Sequence, residues 1–152
     1  MAEINTASKM GAGGAGPEKL GVLIAIFIKG KNLPNRRKMG KQDPYCTARI
    51  AQNAQNTKTD KRGGQTPHWD HELRFDVYDT PDSQKMKVTV LDDNDARPEL
   101  IGDALIDLKP AFERSSADGY DNWHPIMFKN KYAGEIFIEM TFYAKVRGRR
   151  PS

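Results

Sequence analysis

From Leu20 onward apolar residues recur at every second position: Val22, Ile24, Ile26 and Ile28 form one row, and Leu23 and Phe27 stand on the opposite face. That period of two predicts a strand over 20–29, buried largely on both sides and ended by Lys29 and Gly30. The same reading predicts further strands at 45–50, near 56–60, and at 72–77, 86–91, 100–108, 123–128 and 134–143. In the last of these, Ile136, Ile138, Met140 and Phe142 share one face while Phe137, Glu139, Thr141 and Tyr143 share the other. Residues 108–116, with Pro110 near their start, predict a short helix between strands. Eight short strands, polar turns and almost no helical periodicity together predict an all-β, eight-stranded antiparallel sandwich.

The flanks lack such periodicity. Residues 1–19, with Gly11, Gly13, Gly14 and Gly16 close together, predict a flexible Gly/Ala-rich arm, and 146–152, with Arg147, Arg149 and Arg150, a basic tail or the start of a linker. A chain of 152 residues with 38% hydrophobic content then leaves one domain at 20–145. The only cysteine, Cys46, stands in a predicted strand, so no intrachain disulfide forms and its expected role is a small buried apolar side chain. No apolar run approaches the roughly 18 residues that span a bilayer, and Met1-Ala2-Glu3 has neither a secretory start nor a myristoylation site, which predicts a soluble cytosolic protein. The formal charge of +4 favours a polyanionic partner, either nucleic acid or an anionic membrane leaflet.

Several short motifs follow one another in a fixed order. Lys31-Asn32-Leu33-Pro34 closes the first strand, Lys41-Gln42-Asp43-Pro44-Tyr45 opens the second, and Thr66-Pro67-His68-Trp69 stands about twenty residues later. Leu91-Asp92-Asp93, Leu100-Ile101-Gly102 and Gly134-Glu135-Ile136 complete the set. Each has a structural role of its own: Pro67 sets a turn, Trp69 offers a large aromatic surface and Gly102 permits close packing. In this order they resemble the C2 domain over roughly 20–145, and the absence of a strand ahead of Leu20 resembles the permuted topology called type II. More narrowly, Lys31 to Lys38, Lys41 to Tyr45 and Lys61-Arg62-Gly63-Gly64-Gln65-Thr66-Pro67-His68-Trp69 are similar to the fungal ingression proteins of cytokinesis. That resemblance implies a peripheral place at the plasma membrane, at the division septum or contractile ring. It also implies SH3-containing scaffolds as partners, engaged through a Pro-rich tail that this chain does not show.

Many C2 domains hold calcium between loops, and calcium wants six to eight oxygens, so the carboxylates are the test. Asp43 matches one ligand position of the first loop, but six residues earlier, where the family has another aspartate, stands Arg37, flanked by Arg36 and Lys38. In the other loop Asp92 matches the first ligand, Asp93 or Asn94 the second, and Glu99 stands at the third, with Asp95 as a substitute. A cation beside a divalent site repels it by about 4 kcal/mol per unit charge at about 4 Å and an effective dielectric of about 20. The favoured expectation is that Arg37 or Lys38 takes the metal's place and neutralises Asp43, Asp92 and Asp93. No cofactor is then expected, although four or five acidic groups leave room for weak calcium binding.

Between Lys29 and Lys41 lie six cations and no acid. A second group, Arg49, Lys58, Lys61 and Arg62, falls where C2 domains are similar in having a basic groove for phosphoinositide head groups. The expected lipid-binding set is therefore Arg36, Arg37, Lys38, Lys41, Arg49, Lys58, Lys61 and Arg62. Leu33, Met39 and Pro98 are the apolar residues expected at loop tips, so adhesion should be mainly electrostatic. Nucleic acid is disfavoured as a partner because Phe27, Trp69, Phe75 and Phe137 fit core strand positions rather than exposed stacking platforms. Catalysis is disfavoured because the chain has no nucleophile motif or phosphate loop, and His68 and His71, three apart on a strand, fall on opposite faces. The readings that compete with calcium-free membrane docking are a protein-interaction module for a cytokinetic scaffold or cell-wall synthase, and calcium-dependent membrane binding.

Overall fold

The computed structural model describes residues 16–146. The predicted arm falls almost wholly outside them, at 1–15, as does the tail at 147–152. Eight antiparallel strands follow in order: β1 (Lys19–Lys31), β2 (Pro44–Ile50), β3 (Asn53–Asn56), β4 (His68–Tyr78), β5 (Lys85–Asp92), β6 (Glu99–Asp107), β7 (Tyr120–Phe128) and β8 (Lys131–Ala144). One short helix, α1 (Lys109–Glu113), lies within the segment predicted to hold it, with Pro110 in its first turn, where a missing N–H costs nothing.

The strand order is β3-β2-β5-β6-β7-β8-β1-β4. Between β6 and β7 the ladder narrows to the pair Asp103 with Met127, so the sheet folds there into two four-stranded layers, β3-β2-β5-β6 and β7-β8-β1-β4. The chain's last strand sits between β7 and β1, which is the type II arrangement. Both layers feed one core, in which Leu23, Phe27, Trp69, Phe75, Met86, Ile101, Ile126, Ile136 and Ile138 are fully buried. The indole of Trp69 joins the layers, donating Nε1–H to the Pro44 carbonyl at 2.9 Å. This satisfies the one polar atom of an otherwise apolar ring.

Three sequence expectations change here. β1 is not buried equally on both faces: Leu23, Ala25 and Phe27 have no exposure, whereas Val22, Ile24, Ile26 and Ile28 face outward, half-buried. Phe137, expected in the core, lies on that same outer face, its ring centroid 5.3 Å from that of Trp123. The strand expected near 56–60 forms earlier, because a left-handed residue, Ala51 (φ 54), turns the chain at once into a hairpin with β2. Residues 57–60 then run as loop toward β4.

Candidate docking site at the loop end

Three loops gather at one end of the sandwich: 32–43 after β1, 57–67 after β3, and 93–98 after β5. Asp43 and Asp92 come together because β2 and β5 pair with Pro44 opposite Asp92. Arg37 lies between them. Its Nε donates to Asp92 Oδ2 at 2.8 Å, its Nη2 to Asp92 Oδ1 at 2.9 Å and to Asp43 Oδ2 at 3.1 Å, and its Nη1 to the Lys41 carbonyl at 3.2 Å. This is a fork of charge-assisted bonds. Asp92, with no exposure, also accepts the backbone N–H of Asp43 at 2.7 Å. Asp43 Oδ1 accepts the backbone N–H of Arg62 at 2.7 Å, and that amide, followed by the Arg37 charge, holds the Asp43 carboxyl below the usual carboxylate range. Arg37 in turn is held above its ordinary value, chiefly by its bond to Asp92.

The other acidic positions stand apart from this centre. Asp93 accepts from the Thr59 hydroxyl at 3.0 Å, Asn94 Oδ1 accepts the Ala96 N–H at 3.0 Å, and Asp95 and Glu99 are exposed. The inner carboxylate oxygens are committed to a guanidinium and to backbone amides. So arranged, the residues do not fit a calcium ion, which would need those same oxygens and would have to displace Arg37.

The six-cation run divides. Lys29 and Lys31 lie over the Trp123 ring, at 5.8 and 4.0 Å from its centroid. Arg36, expected on the lipid-facing surface, is instead half-buried, stacked 3.9 Å over the Phe128 ring with Nη2 donating to the Ile101 carbonyl at 2.9 Å. Arg37, expected there too, is engaged by the carboxylates. Lys38, Lys41, Lys58, Lys61 and Arg62 are exposed around the loop end. Arg49 is exposed farther along β2, opposite Lys87 of β5, which itself reaches Asp103 at 3.6 Å. Of the expected tip residues, Met39 is 86% exposed and Pro98 is exposed, but Leu33 is fully buried under the turn that leaves β1.

One uncharged residue of the second-strand motif, Gln42, organises the end, while a further cation, Lys87, lies away from it. Gln42 has no exposure; its Oε1 accepts the Arg36 N–H at 2.9 Å, and its Nε2 donates to the carbonyls of Pro34 at 2.6 Å and Gly64 at 3.1 Å. Lys87 adds a cation beside Arg49, and its alternation with Met86 and Val88 is the signal that places it outward.

A two-layer sandwich of this strand order, with paired aspartates at its loop end, is the architecture of a C2 domain, and the chain belongs to the C2 domain family, whose model matches residues 21–126. Among curated proteins it is similar to Ingression protein fic1 of Schizosaccharomyces pombe, at 34% identity over 124 residues covering 81% of this chain and 44% of that protein. It is likewise similar to Ingression protein 1 of Saccharomyces cerevisiae, at 35% identity over 129 residues covering 83% of this chain and 31% of that protein. The chain thus spans less than half the length of either relative. Among solved structures it superposes on the C2A domain of plant extended synaptotagmin 1 with a TM-score of 0.74 at 19% identity, covering 86% of this chain and 99% of that one. The calcium-bound C2A and C2B domains of extended synaptotagmin 2 match with a TM-score of 0.71 at 21% identity, covering 83% and 46%. These two likenesses describe the fold.

Proposed function

We propose that this C2 domain is a non-catalytic module that docks on anionic, phosphoinositide-containing inner-leaflet membrane without calcium, at the fungal division site. What supports the calcium-free reading is the place of Arg37, which gives the loop end its own cation between Asp43 and Asp92. What supports the membrane reading is the ring of five exposed cations, Lys38, Lys41, Lys58, Lys61 and Arg62, at that same end. At about 1 kcal/mol per cation near an anionic leaflet, the set contributes about 5 kcal/mol, enough for reversible docking that salt weakens. The exposed Met39 adds one apolar side chain for shallow insertion. The place of action rests on the likeness to the two ingression proteins. SH3-bearing cytokinesis scaffolds are the proposed protein partners, engaged through sequence of the kind by which those relatives exceed this chain.

Vesicle co-sedimentation in calcium and in chelator tests this. Equal binding in both conditions, rising with anionic lipid and lowered about 30-fold by Lys58→Ala/Lys61→Ala, is the expected result. Binding that requires calcium would mean that the ion displaces Arg37. Binding in neither condition would transfer the basic end to an acidic protein partner.

A further inference from the structure

The first two loops border a half-open cavity of about 260 Å³ lined by Asn35, Lys41, Gly63, Gly64, Gln65 and Thr66. Its walls are tied from both sides. Gln42 bonds to the carbonyls of Pro34 and Gly64, and the Gly64 N–H returns a bond to the Gln42 carbonyl at 3.0 Å. Gln65 Nε2 donates to the Leu33 carbonyl at 2.7 Å, and the Leu33 N–H to the Gln65 carbonyl at 3.3 Å. Closeness requires Gly63, and backbone conformation requires Gly64. A Cβ on Gly63 would lie 2.5 Å from Asp60 Oδ2, and Gly64 adopts φ +64 with the Lys41 stem alongside, 3.5 Å from where a Cβ would be. The cavity is therefore built before any ligand arrives.

Its lining holds one ammonium, one hydroxyl and two carboxamides, and no carboxylate. Asp60, beside the Gly63 wall, accepts the His68 N–H at 2.9 Å. The space falls below the roughly 300 Å³ at which drug-sized sites begin, too small for an acyl chain and suited to a single phosphorylated substituent. A phosphate monoester carries about −1.5 to −2 charges and three acceptor oxygens at neutral pH, so it gains more from converging donors than a diester, whose two remaining oxygens share one charge.

We propose that this cavity is a headgroup pocket that takes the monoester phosphate of a phosphoinositide and so separates that lipid from others of equal charge. The inference rests on the anionic-membrane reading above. The surrounding cations supply an undirected field, which sees charge alone, whereas the pocket sees the phosphate's shape.

The test uses the whole 152-residue chain in chelator, with phosphatidylcholine vesicles containing either phosphatidylinositol bisphosphate or charge-matched phosphatidylserine. Three variants are compared: Lys41→Gln and Thr66→Val in the lining, and Lys38→Gln, which removes the same charge outside it. Lys41→Gln is expected to lower the preference for phosphoinositide about tenfold and Thr66→Val about fivefold, while Lys38→Gln weakens both vesicle types alike. Soluble inositol trisphosphate should displace wild type from phosphoinositide vesicles and displace Lys41→Gln far less. If Lys41→Gln and Lys38→Gln behave identically, or wild type binds both vesicles with equal strength, the pocket is refuted and the electrostatic docking stands. If wild type binds neither vesicle, the docking reading falls and takes the pocket with it. Should Thr66→Val fail to fold, the two lysine variants decide alone.

Discussion

Replacing Asp92 by asparagine removes the charge and one of the two acceptor oxygens from the most buried carboxylate of the loop end. Asp92 has no exposure and accepts three bonds, two from Arg37 and one from the Asp43 amide. In Asp92→Asn the remaining oxygen can still serve the Asp43 amide, but the new amide nitrogen faces the guanidinium, donor against donor. Bonds to charged groups are worth about 1.5–3 kcal/mol each, and water can reach the released guanidinium, so the net loss for the Asp92 site should be about 2–3 kcal/mol. For a domain of this size that lowers the melting midpoint by about 6–10 °C. Urea unfolding followed by tryptophan fluorescence, beside a thermal melt, measures it. Asp93→Asn is the control, since Asp93 is exposed with one bond from Thr59; its loss should stay within about 0.5 kcal/mol. Arg37→Gln/Asp92→Asn should lose less than the sum of the two single changes, because the pair is then neutral on both sides. An Asp92→Asn protein no less stable than Asp93→Asn would refute the reasoning that Arg37 and Asp92 hold this end together.

Other outcomes follow from the same geometry. The Asp43 carboxyl is held low in the folded state, so the native protein binds fewer protons than the unfolded chain in acid; its stabilisation is complete above the unfolded value of about 3.9 and is lost as pH falls through the folded value. Asp43→Asn should flatten the acid limb of a melting-temperature profile, and an unchanged limb would contradict it. His124 is buried with Nε2 unpartnered, and burial lowers its pKa, so stability should fall as pH drops below about 6.5. His124→Leu should gain on wild type at pH 5.5 relative to pH 8, and parallel profiles would exclude that role. Trp69→Phe, which takes the indole donor from the Pro44 carbonyl while leaving it the Asp60 N–H, and opens a gap between the layers, should cost about 2 kcal/mol by urea unfolding monitored through Trp123.

The sandwich was legible because alternation and turn residues agree along most strands. The face of β1 was not, because both of its rows are apolar; what decides is the partner, since Ile138 and Met140 of β8 lie beside Phe27 and Ala25 and carry them inward. β3 was misplaced because Asn-Ala-Gln-Asn contains no apolar period and is held by its hairpin with β2. At the site, the spacing of Asp43 and Asp92 and the cation at 37 could be read directly. Which of three consecutive cations turns inward could not, since Arg36, Arg37 and Lys38 are alike in charge and differ in what the fold sets beside them: an aromatic ring, two carboxylates and solvent. Gln42 and Thr66 stand inside motifs that signal the fold, but without charge they were not read as site residues.

Arg37 is tethered to the carboxylates it neutralises by six residues of its own chain, counted from Asp43. A tethered cation has a high and constant effective concentration and cannot be diluted, chelated or delivered in a pulse. On the docking proposed above, the loop end carries no clock of its own: its readiness is set when the chain folds, and changes in occupancy would originate elsewhere, in the composition of the surface it meets or in the number of copies present.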